Sequence, residues 1–279
     1  MATVLVVEDN PVNMKLAVLL LRNAGHTVLC AVDAEAGLTI ARAEQPDLVL
    51  MDLQLPGMDG LAATTLLKQD PATAAIPVIA LSAMAINANH EIRPGADCDA
   101  YLAKPLRYQE LYAAIDTLLT GKKLQGAREA DSDLNAPLTT CLSGSVPSSH
   151  LHGATLRQAP RAAAASAVDV GVLESLIGSD PAVILEFLNA FRTSASTIAL
   201  ELKMACDDGQ PVQAGRQAHK LRSSAHIVGA VTLGRLCAEM EAAGKAGRME
   251  TLAALLPLFE QELDGVNSFL DSLQAPRAS

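Results

Sequence analysis

The sequence predicts an α/β domain followed by an all-α domain, and three observations support this prediction. Over residues 1–121, short runs rich in β-branched residues alternate with helical patterns, which is typical of an open, parallel, doubly wound sheet. Residues 122–166 are rich in Ser, Pro, Gly and Ala and lack an apolar period, as a flexible linker does. From 167 to 275 only amphipathic helical patterns occur, so we expect a helical bundle there.

Five strands are expected in the first domain. Their cores are Val4–Val7, Thr27–Val32, Leu48–Met51, Val78–Leu81 and Tyr101–Leu102. Helical patterns separate them, for example over Val12–Asn23 and Ala34–Glu44. The first and third cores are apolar throughout, which is expected of parallel strands that are covered on both faces.

Five helices are expected in the second domain, and Gly, Asp or Pro stands at most of the joins between them. Their predicted ranges are Val170–Ile177, Pro181–Cys206, Pro211–Val228, Leu233–Ala243 and Met249–Leu273. Both folded domains are acidic, since residues 1–121 carry 7 basic and 14 acidic side chains and residues 167–279 carry 9 and 14.

Composition argues against several classes of protein. The net charge of −10, the absence of Trp and an aromatic content of 3% argue against nucleic-acid binding. No apolar run is long enough for membrane insertion, and the N-terminus does not resemble a signal peptide. The five Cys residues form no Cys-x-x-Cys pair, so we expect a cytoplasmic protein whose cysteines are small buried hydrophobes.

Charged and polar side chains stand where the predicted strands end. Glu8 and Asp9 follow the first strand, Asp52 follows the third, Ser82 ends the fourth and Lys104 follows the fifth. The carboxyl ends of parallel strands meet at one edge, so three carboxylates would converge and repel one another without a divalent cation. Oxygen ligands favour Mg²⁺, and an ammonium and a hydroxyl suit phosphate oxygens. Each residue alone could instead be a helix cap, a turn former or a surface side chain, but their joint placement predicts a phosphoryl-transfer site.

Residues 2–121 resemble a response-regulator receiver domain, which has a flavodoxin-like fold. The motifs that support this resemblance are Val6-Val7-Glu8-Asp9-Asn10, Met51-Asp52-Leu53-Gln54-Leu55-Pro56-Gly57-Met58-Asp59-Gly60, Ala80-Leu81-Ser82-Ala83 and Tyr101-Leu102-Ala103-Lys104-Pro105. The resemblance implies that Asp52 accepts a phosphoryl group as an acyl phosphate. It also implies that Asp9, Asp52 and the main-chain carbonyl of Gln54 bind Mg²⁺, with Glu8 acting through water.

The same resemblance assigns roles to three further residues. Lys104 would contact the phosphoryl oxygens, and its bond to Pro105 would be cis. Ser82 and Tyr101 would form a switch pair, in which the hydroxyl moves toward the phosphoryl group and the ring turns inward. The sequence departs from the family where Pro94-Gly95 interrupts the expected fourth helix near Asn87–Arg93, which affects the partner-binding face.

One predicted helix of the second domain carries a candidate phosphoacceptor. Its buried stripe comprises Ala214, Ala218, Leu221, Ala225 and Val228, at intervals of three and four. The opposite stripe comprises His219, Arg222, Ser223 and His226, so we expect His219 to face solvent with a guanidinium nearby. A lone His on a polar face is usually a solvated surface residue. Joint metal binding by His219 and His226 is poor because the two lie roughly 10 Å apart along the helix.

The segment Ala218–Ala230 resembles the signature of histidine-phosphotransfer (HPt) domains, and the resemblance covers about residues 167–273. It implies that His219 carries a phosphoryl group and that Arg222 takes the place usually held by Lys. Ser223 stands where Gly is commonest, and its side chain is still small.

The chain has no recognisable ATP-binding loop, so the phosphoryl group must come from another molecule. The expected partners are a sensor histidine kinase and other receiver or HPt proteins, in a two-component phosphorelay. One alternative is a phosphorylation-gated binding regulator with a degenerate HPt bundle. A second is an aspartate-based phosphohydrolase, which would need an acid where Gln54 stands. The linker is long enough for Asp52 and His219 to meet within one chain, but it does not require them to do so.

Overall fold

The computed structural model describes residues 1–82, 98–129 and 167–274. The first domain contains five parallel strands in the order β2-β1-β3-β4-β5. The strands are β1 (Thr3–Val7), β2 (Thr27–Ala31), β3 (Leu48–Asp52), β4 (Val78–Ser82) and β5 (Ala100–Ala103). Its described helices are α1 (Pro11–Asn23), α2 (Ala34–Glu44), α3 (Gly60–Gln69) and α4 (Tyr108–Glu129). The predicted α/β class and all five strand positions are confirmed.

The two faces of the sheet build two apolar cores. Val4 and Val6 of β1 belong to one core, and Leu5 and Val7 belong to the other. All four are fully buried, because side chains alternate along a strand and helices cover both faces. β1 lies between β2 and β3, so the crevice at its carboxyl end sits where the strand order reverses.

Short polar side chains start the helices that frame this crevice. The Asn10 side chain accepts hydrogen bonds from the backbone N–H groups of Val12 (2.9 Å) and Asn13 (3.3 Å) at the start of α1. Asp59 accepts one from Ala62 N–H (2.7 Å) at the start of α3. These caps satisfy backbone donors that have no partner within the helix, and they fix where each loop ends.

In the described residues of the second domain, short turns join five helices. They are α5 (Val170–Ile177), α6 (Pro181–Asp207), α7 (Pro211–Ile227), α8 (Val231–Lys245) and α9 (Met249–Gln274). Each agrees with its predicted range to within a few residues. The predicted stripe on α7 is fully buried at all five positions, including Val228, which directly follows the helix.

Helices α7 and α8 pack almost backbone to backbone. A Cβ atom added to Gly244 would lie 2.5 Å from the Cα of Gly215, and one added to Gly215 would lie 3.0 Å from the Cα of Gly244. Only glycine permits this approach, so the two helices lie closer together than ordinary side chains allow.

Some expectations need revision. Helix α4 continues to Glu129, so the first residues of the predicted linker are helical. Of the described cysteines only Cys237 is buried, whereas Cys30 is exposed and Cys98 and Cys206 are half-buried, so the expectation of small buried hydrophobes is wrong for these three. The interrupted helix near Asn87–Arg93 and the rest of the linker lie outside the described residues.

The described residues within 1–119 and 166–279 form one compact unit. Within it a single apolar cluster includes residues of α1 and of the bundle helices, among them Val12, Leu16, Phe187 and Ile227. The sheet domain and the bundle therefore share a packed boundary on the α1 side of the sheet.

Candidate functional site

Three carboxylates converge at the carboxyl edge of the sheet. Glu8 and Asp9 directly follow β1, and Asp52 is the last residue of β3. One oxygen from each lies within 4.8 Å of the others, and Glu8 and Asp52 are each only 3% exposed. β1 and β3 are neighbouring parallel strands, so their ends must meet, as the sequence analysis predicted.

Lys104 lies among these carboxylates on the segment that follows β5. Its Nζ is 2.8 Å from Asp52 Oδ2 and also forms an ion pair with Glu8 Oε2. Its backbone N–H donates to Ser82 O (2.8 Å), which ties the segment to the end of β4, and the Lys104–Pro105 bond is cis as predicted. Burial by itself would lower the pKa of Lys104, but the two carboxylates outweigh burial and raise it.

Glu8 is held by two donors on the adjoining turn and helix. Its Oε1 accepts hydrogen bonds from Asn13 Nδ2 (3.0 Å) and from the backbone N–H of Asn10 (3.2 Å). Burial raises the pKa of Glu8 to about 7, with the Asp52 charge adding to the rise and the Lys104 ammonium opposing it. The rise is therefore mainly an effect of burial, which the Lys104 ammonium offsets only in part.

The donor set fits a divalent cation. Three carboxylate oxygens within 4.8 Å of one another are hard ligands of the kind that Mg²⁺ takes. Lys104 pairs with Glu8 and Asp52, and Lys220 of α7 pairs with Asp9, so two ammonium groups face three carboxylates. The residues present therefore fit a magnesium site, with Glu8, Asp9 and Asp52 as the side chains able to hold it.

The backbone fixes Asp52 closely. Its Oδ1 accepts a hydrogen bond from Gln54 N–H (3.1 Å), and Leu53 N–H donates to Leu81 O (3.1 Å). A Cβ atom on Gly60 would lie 2.0 Å from the Asp52 carbonyl oxygen, so α3 can start here only with glycine. Asp52 Oδ2 points to Lys104, and the carboxylate is thereby oriented at both oxygens.

Ser82 and Tyr101 occupy neighbouring strands near the cluster. Ser82 ends β4 opposite Ala103 of β5, and Tyr101 lies opposite Ala80. Both side chains are half-buried. The structure thus brings the Ser82 position to the same edge as Asp52 and Lys104. Tyr101 lies on β5 two residues before Ala103, the residue that pairs with Ser82.

The expectation that His219 faces solvent is wrong. His219 lies on α7 as predicted but is 8% exposed, and its Nδ1 is 3.1 Å from Glu241 Oε1 on α8, without the alignment of a hydrogen bond. The periodicity of α7 identified the residues that share a face, but α8 covers that face because Gly215 and Gly244 let the helices approach.

Glu241 is a site residue that sequence reasoning missed. Besides His219 it pairs with Arg222 Nη1 (3.1 Å) and with Lys245 Nζ one turn along α8. Burial alone would raise the pKa of Glu241, but these neighbours, led by His219 and Lys245, lower it to about 2. The spacing of Glu241 and Lys245 is visible in the sequence, whereas the pairing with His219 depends on how the helices pack.

The other members of the predicted polar stripe have separate environments. Ser223 is buried and lies one turn from His219. His226 Nδ1 lies 2.7 Å from the Arg222 carbonyl oxygen, and its ring packs where a Cβ on Gly234 would clash. His226 therefore belongs to the α7–α8 packing.

Comparison with known proteins agrees with both halves of this description. Residues 4–116 match the response regulator receiver domain family and residues 186–269 match the Hpt domain family. The polar-differentiation response regulator DivK of Brucella anthropi is 40% identical over 118 residues, which is 42% of this chain and 95% of that protein, and DivK of Brucella ovis matches equally. The receiver domain of the sensor histidine kinase PA1611 from Pseudomonas aeruginosa, solved with a magnesium ion in its active site cleft, is 33% identical, with coverage of 43% of this chain and 98% of that chain and a TM-score of 0.40.

A parallel five-stranded sheet with an acid cluster and a buried lysine at its carboxyl edge defines a receiver domain, and the chain belongs to the response regulator receiver family. Because an Hpt domain follows in the same chain, the protein is a two-component phosphorelay protein. Such domains imply partners of the same system, namely histidine kinases and other receiver or Hpt proteins. Among the described residues, no helix combines the length and apolar character needed to cross a membrane.

Proposed function

We propose that the protein accepts a phosphoryl group on Asp52 and carries one on His219, and so relays phosphate between a partner kinase and other regulators. The observation that supports the first step is the three-carboxylate cluster around the buried Lys104. A carboxylate that is oriented at both oxygens and faces a cation is arranged for nucleophilic attack on phosphorus.

Mg²⁺, held by Glu8, Asp9, Asp52 and the Gln54 main-chain carbonyl, would neutralise charge between the carboxylates and the incoming phosphoryl oxygens. Side chains of the protein would make the remaining contacts to the phosphoryl group. Lys104 already contacts Asp52 and would exchange that contact for a phosphoryl oxygen. Ser82, at the same edge, would donate a hydrogen bond from its hydroxyl to the phosphoryl group. The Tyr101 ring would then turn inward, and this movement would signal phosphorylation.

On the bundle, His219 would carry the phosphoryl group on Nε2, because Nδ1 faces Glu241. A carboxylate beside Nδ1 favours the tautomer with its proton on Nδ1, which leaves the Nε2 lone pair available as nucleophile. Arg222 shares Glu241 and lies one turn from His219, close enough to contact a phosphoryl group by moving its guanidinium.

The test is labelling with radioactive acetyl phosphate in the presence and absence of Mg²⁺, followed by separate acid and base treatment. Acyl phosphate is lost in base, whereas phosphohistidine is stable in base and lost in acid. We expect Mg²⁺-dependent base-labile label that Asp52→Asn abolishes, and base-stable label that His219→Gln abolishes. Asp70→Asn removes a half-buried carboxylate that pairs with Arg42 at the far end of α3, away from the cluster, and serves as the control. Label that does not depend on Mg²⁺ or Asp52 would contradict the proposal.

A second candidate is a phosphorylation-gated binding regulator whose bundle no longer carries phosphate. The burial of His219 and its pairing with Glu241 favour this alternative, because a phosphoacceptor needs access to its donor. His219→Gln decides between the two, since a regulator of this kind would keep its signalling and its Asp52 label without a base-stable fraction. An aspartate-based phosphohydrolase is disfavoured because Gln54, which follows the nucleophile by two residues, cannot act as an acid.

A further inference from the structure

We propose that Lys220 of the bundle competes with Mg²⁺ for Asp9, so that the receiver binds the metal ion tightly only after α7 has moved away from the acid cluster. This inference rests on the proposed function and adds a regulation of the same site by the second domain of the chain. It follows from contacts that join α1 and its preceding loop to helices α6 and α7.

Lys220 contacts two consecutive residues at the carboxyl edge of the sheet. Its Nζ lies 2.8 Å from Asp9 Oδ2, and its carbonyl oxygen accepts a hydrogen bond from Asn10 Nδ2 (2.7 Å). The Asp9 side chain is 7% exposed, and within the described residues its Oδ2 accepts no hydrogen bond. The ammonium therefore balances a buried carboxylate by charge alone. Because Asp9 is also one of the three side chains able to hold Mg²⁺, the two cations would share one carboxylate.

The charges of the cluster indicate which ammonium would leave. Lys104 and Lys220 together place two positive charges beside three carboxylates. Mg²⁺ added to both ammonium groups would give four positive charges against three negative ones, whereas Mg²⁺ in place of one ammonium gives three against three. The Lys104 side chain is 5% exposed and pairs with two carboxylates, while Lys220 is 26% exposed and pairs with one. Lys220 is thus the ammonium that returns to water at the lower cost.

Apolar packing holds α7 in the position that directs Lys220 at Asp9. Ile227, two turns further along α7, lines a small cavity together with Glu8 and Lys104 of the cluster and Leu16 of α1. Ile227 and Leu16 are each 1% exposed and belong to one apolar cluster. Residues 220 and 227 lie on the same face of the helix, so this face of α7 runs along the carboxyl edge of the sheet.

A charged rim borders this apolar contact. Lys15 of α1 lies 2.7 Å from Glu186 Oε1 of α6, and its Nζ also lies 5.6 Å from the centre of the buried Phe187 ring. An apolar centre with a charged rim is the pattern of a specific protein interface. The Lys15–Glu186 pair belongs to the boundary and not to the acid cluster, so it allows the docking to be weakened without a change to any metal ligand.

Competition of this kind acts in both directions. If Lys220 lowers the affinity of the receiver for Mg²⁺, then Mg²⁺ must weaken the hold of Lys220 on Asp9 by the same factor. Metal uptake by the receiver and release of α7 are therefore one coupled equilibrium, and each can be measured separately.

The first test measures Mg²⁺ affinity of the full-length chain by isothermal titration calorimetry. Lys220→Gln removes the competing charge and should lower the Kd for Mg²⁺ about tenfold. Lys203→Gln is the matched control, since it removes the same charge from an exposed ion pair with Glu260 inside the bundle and should leave the Kd unchanged. A wild-type Kd in Lys220→Gln, or an equal gain in affinity in Lys203→Gln, would overturn the proposal.

The second test exchanges the rim charges. Lys15→Glu and Glu186→Lys each place like charges together, so each should weaken the docking and raise Mg²⁺ affinity about twofold to fivefold, whereas the double variant should return toward wild type. The two substitutions change the net charge in opposite directions, so a gain in both cannot come from the overall field of the protein. Opposite effects of the two single variants, or no effect, would show that α7 does not restrict the metal site.

The third test follows Lys220 itself. Acetylation by an amine-reactive reagent, measured by mass spectrometry, should proceed at least about threefold faster at Lys220 when Mg²⁺ is saturating, because the ammonium is then released from Asp9. Lys203 in the same sample is the internal reference and should react at an unchanged rate. Equal reactivity of Lys220 with and without Mg²⁺ would contradict the exchange of one cation for the other.

The two proposals fail in different ways. If all variants bind Mg²⁺ as wild type does and Asp52 label still depends on Mg²⁺, the proposed function stands and the competition is wrong. If neither wild type nor Lys220→Gln binds Mg²⁺, both the metal-dependent labelling of Asp52 and the competition are wrong.

Discussion

Glu241 offers the sharpest test of the bundle site, because one carboxylate contacts three cationic or titratable groups. Glu241→Gln preserves the side chain's size and removes its charge. The fall in the Glu241 pKa from 4.5 to about 2 sets an upper bound of about 3 kcal/mol on the lost stability. Arg222 and Lys245 are 33% and 58% exposed and regain water when the pair is broken, so we expect a loss of about 1–2 kcal/mol at pH 7.

The expected loss depends on pH. A carboxylate whose pKa is lowered on folding stabilises the protein fully above its unfolded pKa, and this contribution declines as pH falls toward the folded pKa. The difference between wild type and Glu241→Gln should therefore be constant from pH 7 down to about pH 5 and shrink below about pH 4.5. Urea denaturation followed by far-ultraviolet circular dichroism measures the free energy of unfolding of wild type and of Glu241→Gln at each pH.

Glu239→Gln is the matched control, since Glu239 lies on the same helix, is half exposed and pairs only loosely with Arg235 at 3.6 Å. It should change stability by less than about 0.5 kcal/mol. The reasoning would be refuted if Glu241→Gln were as stable as wild type at pH 7, or if its deficit persisted unchanged at pH 3.5. Nitrogen NMR of the His219 ring gives an independent check, because the preference for a proton on Nδ1 should weaken in the variant.

Three further predictions concern glycines and cysteines. Gly229→Ala should cost more than about 3 kcal/mol in thermal unfolding, because Gly229 has φ +75° and an added Cβ would lie 2.1 Å from the Asp169 carbonyl oxygen. Gly60→Ala should destabilise the receiver by more than about 2 kcal/mol and slow Asp52 labelling, since its Cβ would displace the Asp52 carbonyl; normal labelling would contradict this. Burial raises the pKa of Cys237 to about 12, so alkylation of the native protein followed by mass spectrometry should modify exposed Cys30 and spare Cys237.

The receiver site could be predicted from the sequence because its geometry follows from topology. Apolar runs identify the strands, parallel strands place all their carboxyl ends at one edge, and the residues after Val7 and at Asp52 must then meet. The bundle site could be predicted only in part. The spacing on α7 identified its buried stripe correctly but not what covers the opposite face, because that depends on contacts between helices far apart in sequence.

The sequence analysis did not predict two side-chain pairings for this reason. Glu241 reaches His219 only because α7 and α8 approach at their glycines, and Lys220 reaches Asp9 only because the domains share a boundary. A surface lysine and a helical glutamate carry no signal of such pairing in a single sequence. Buried and paired charges at a tertiary contact are a property of the assembled fold.

The glycine contact between α7 and α8 has a consequence for how the bundle responds to chemistry. Most helix pairs are separated by a layer of side chains that can change rotamer and let one helix slide on the other. Where Gly215 meets Gly244 there is no such layer, so the two backbones are in direct contact and the helices should not slide on each other at this point. His219 and Glu241 each lie about one turn from this contact, on α7 and α8, so their separation should stay constant during the phosphoryl transfer that we propose for His219.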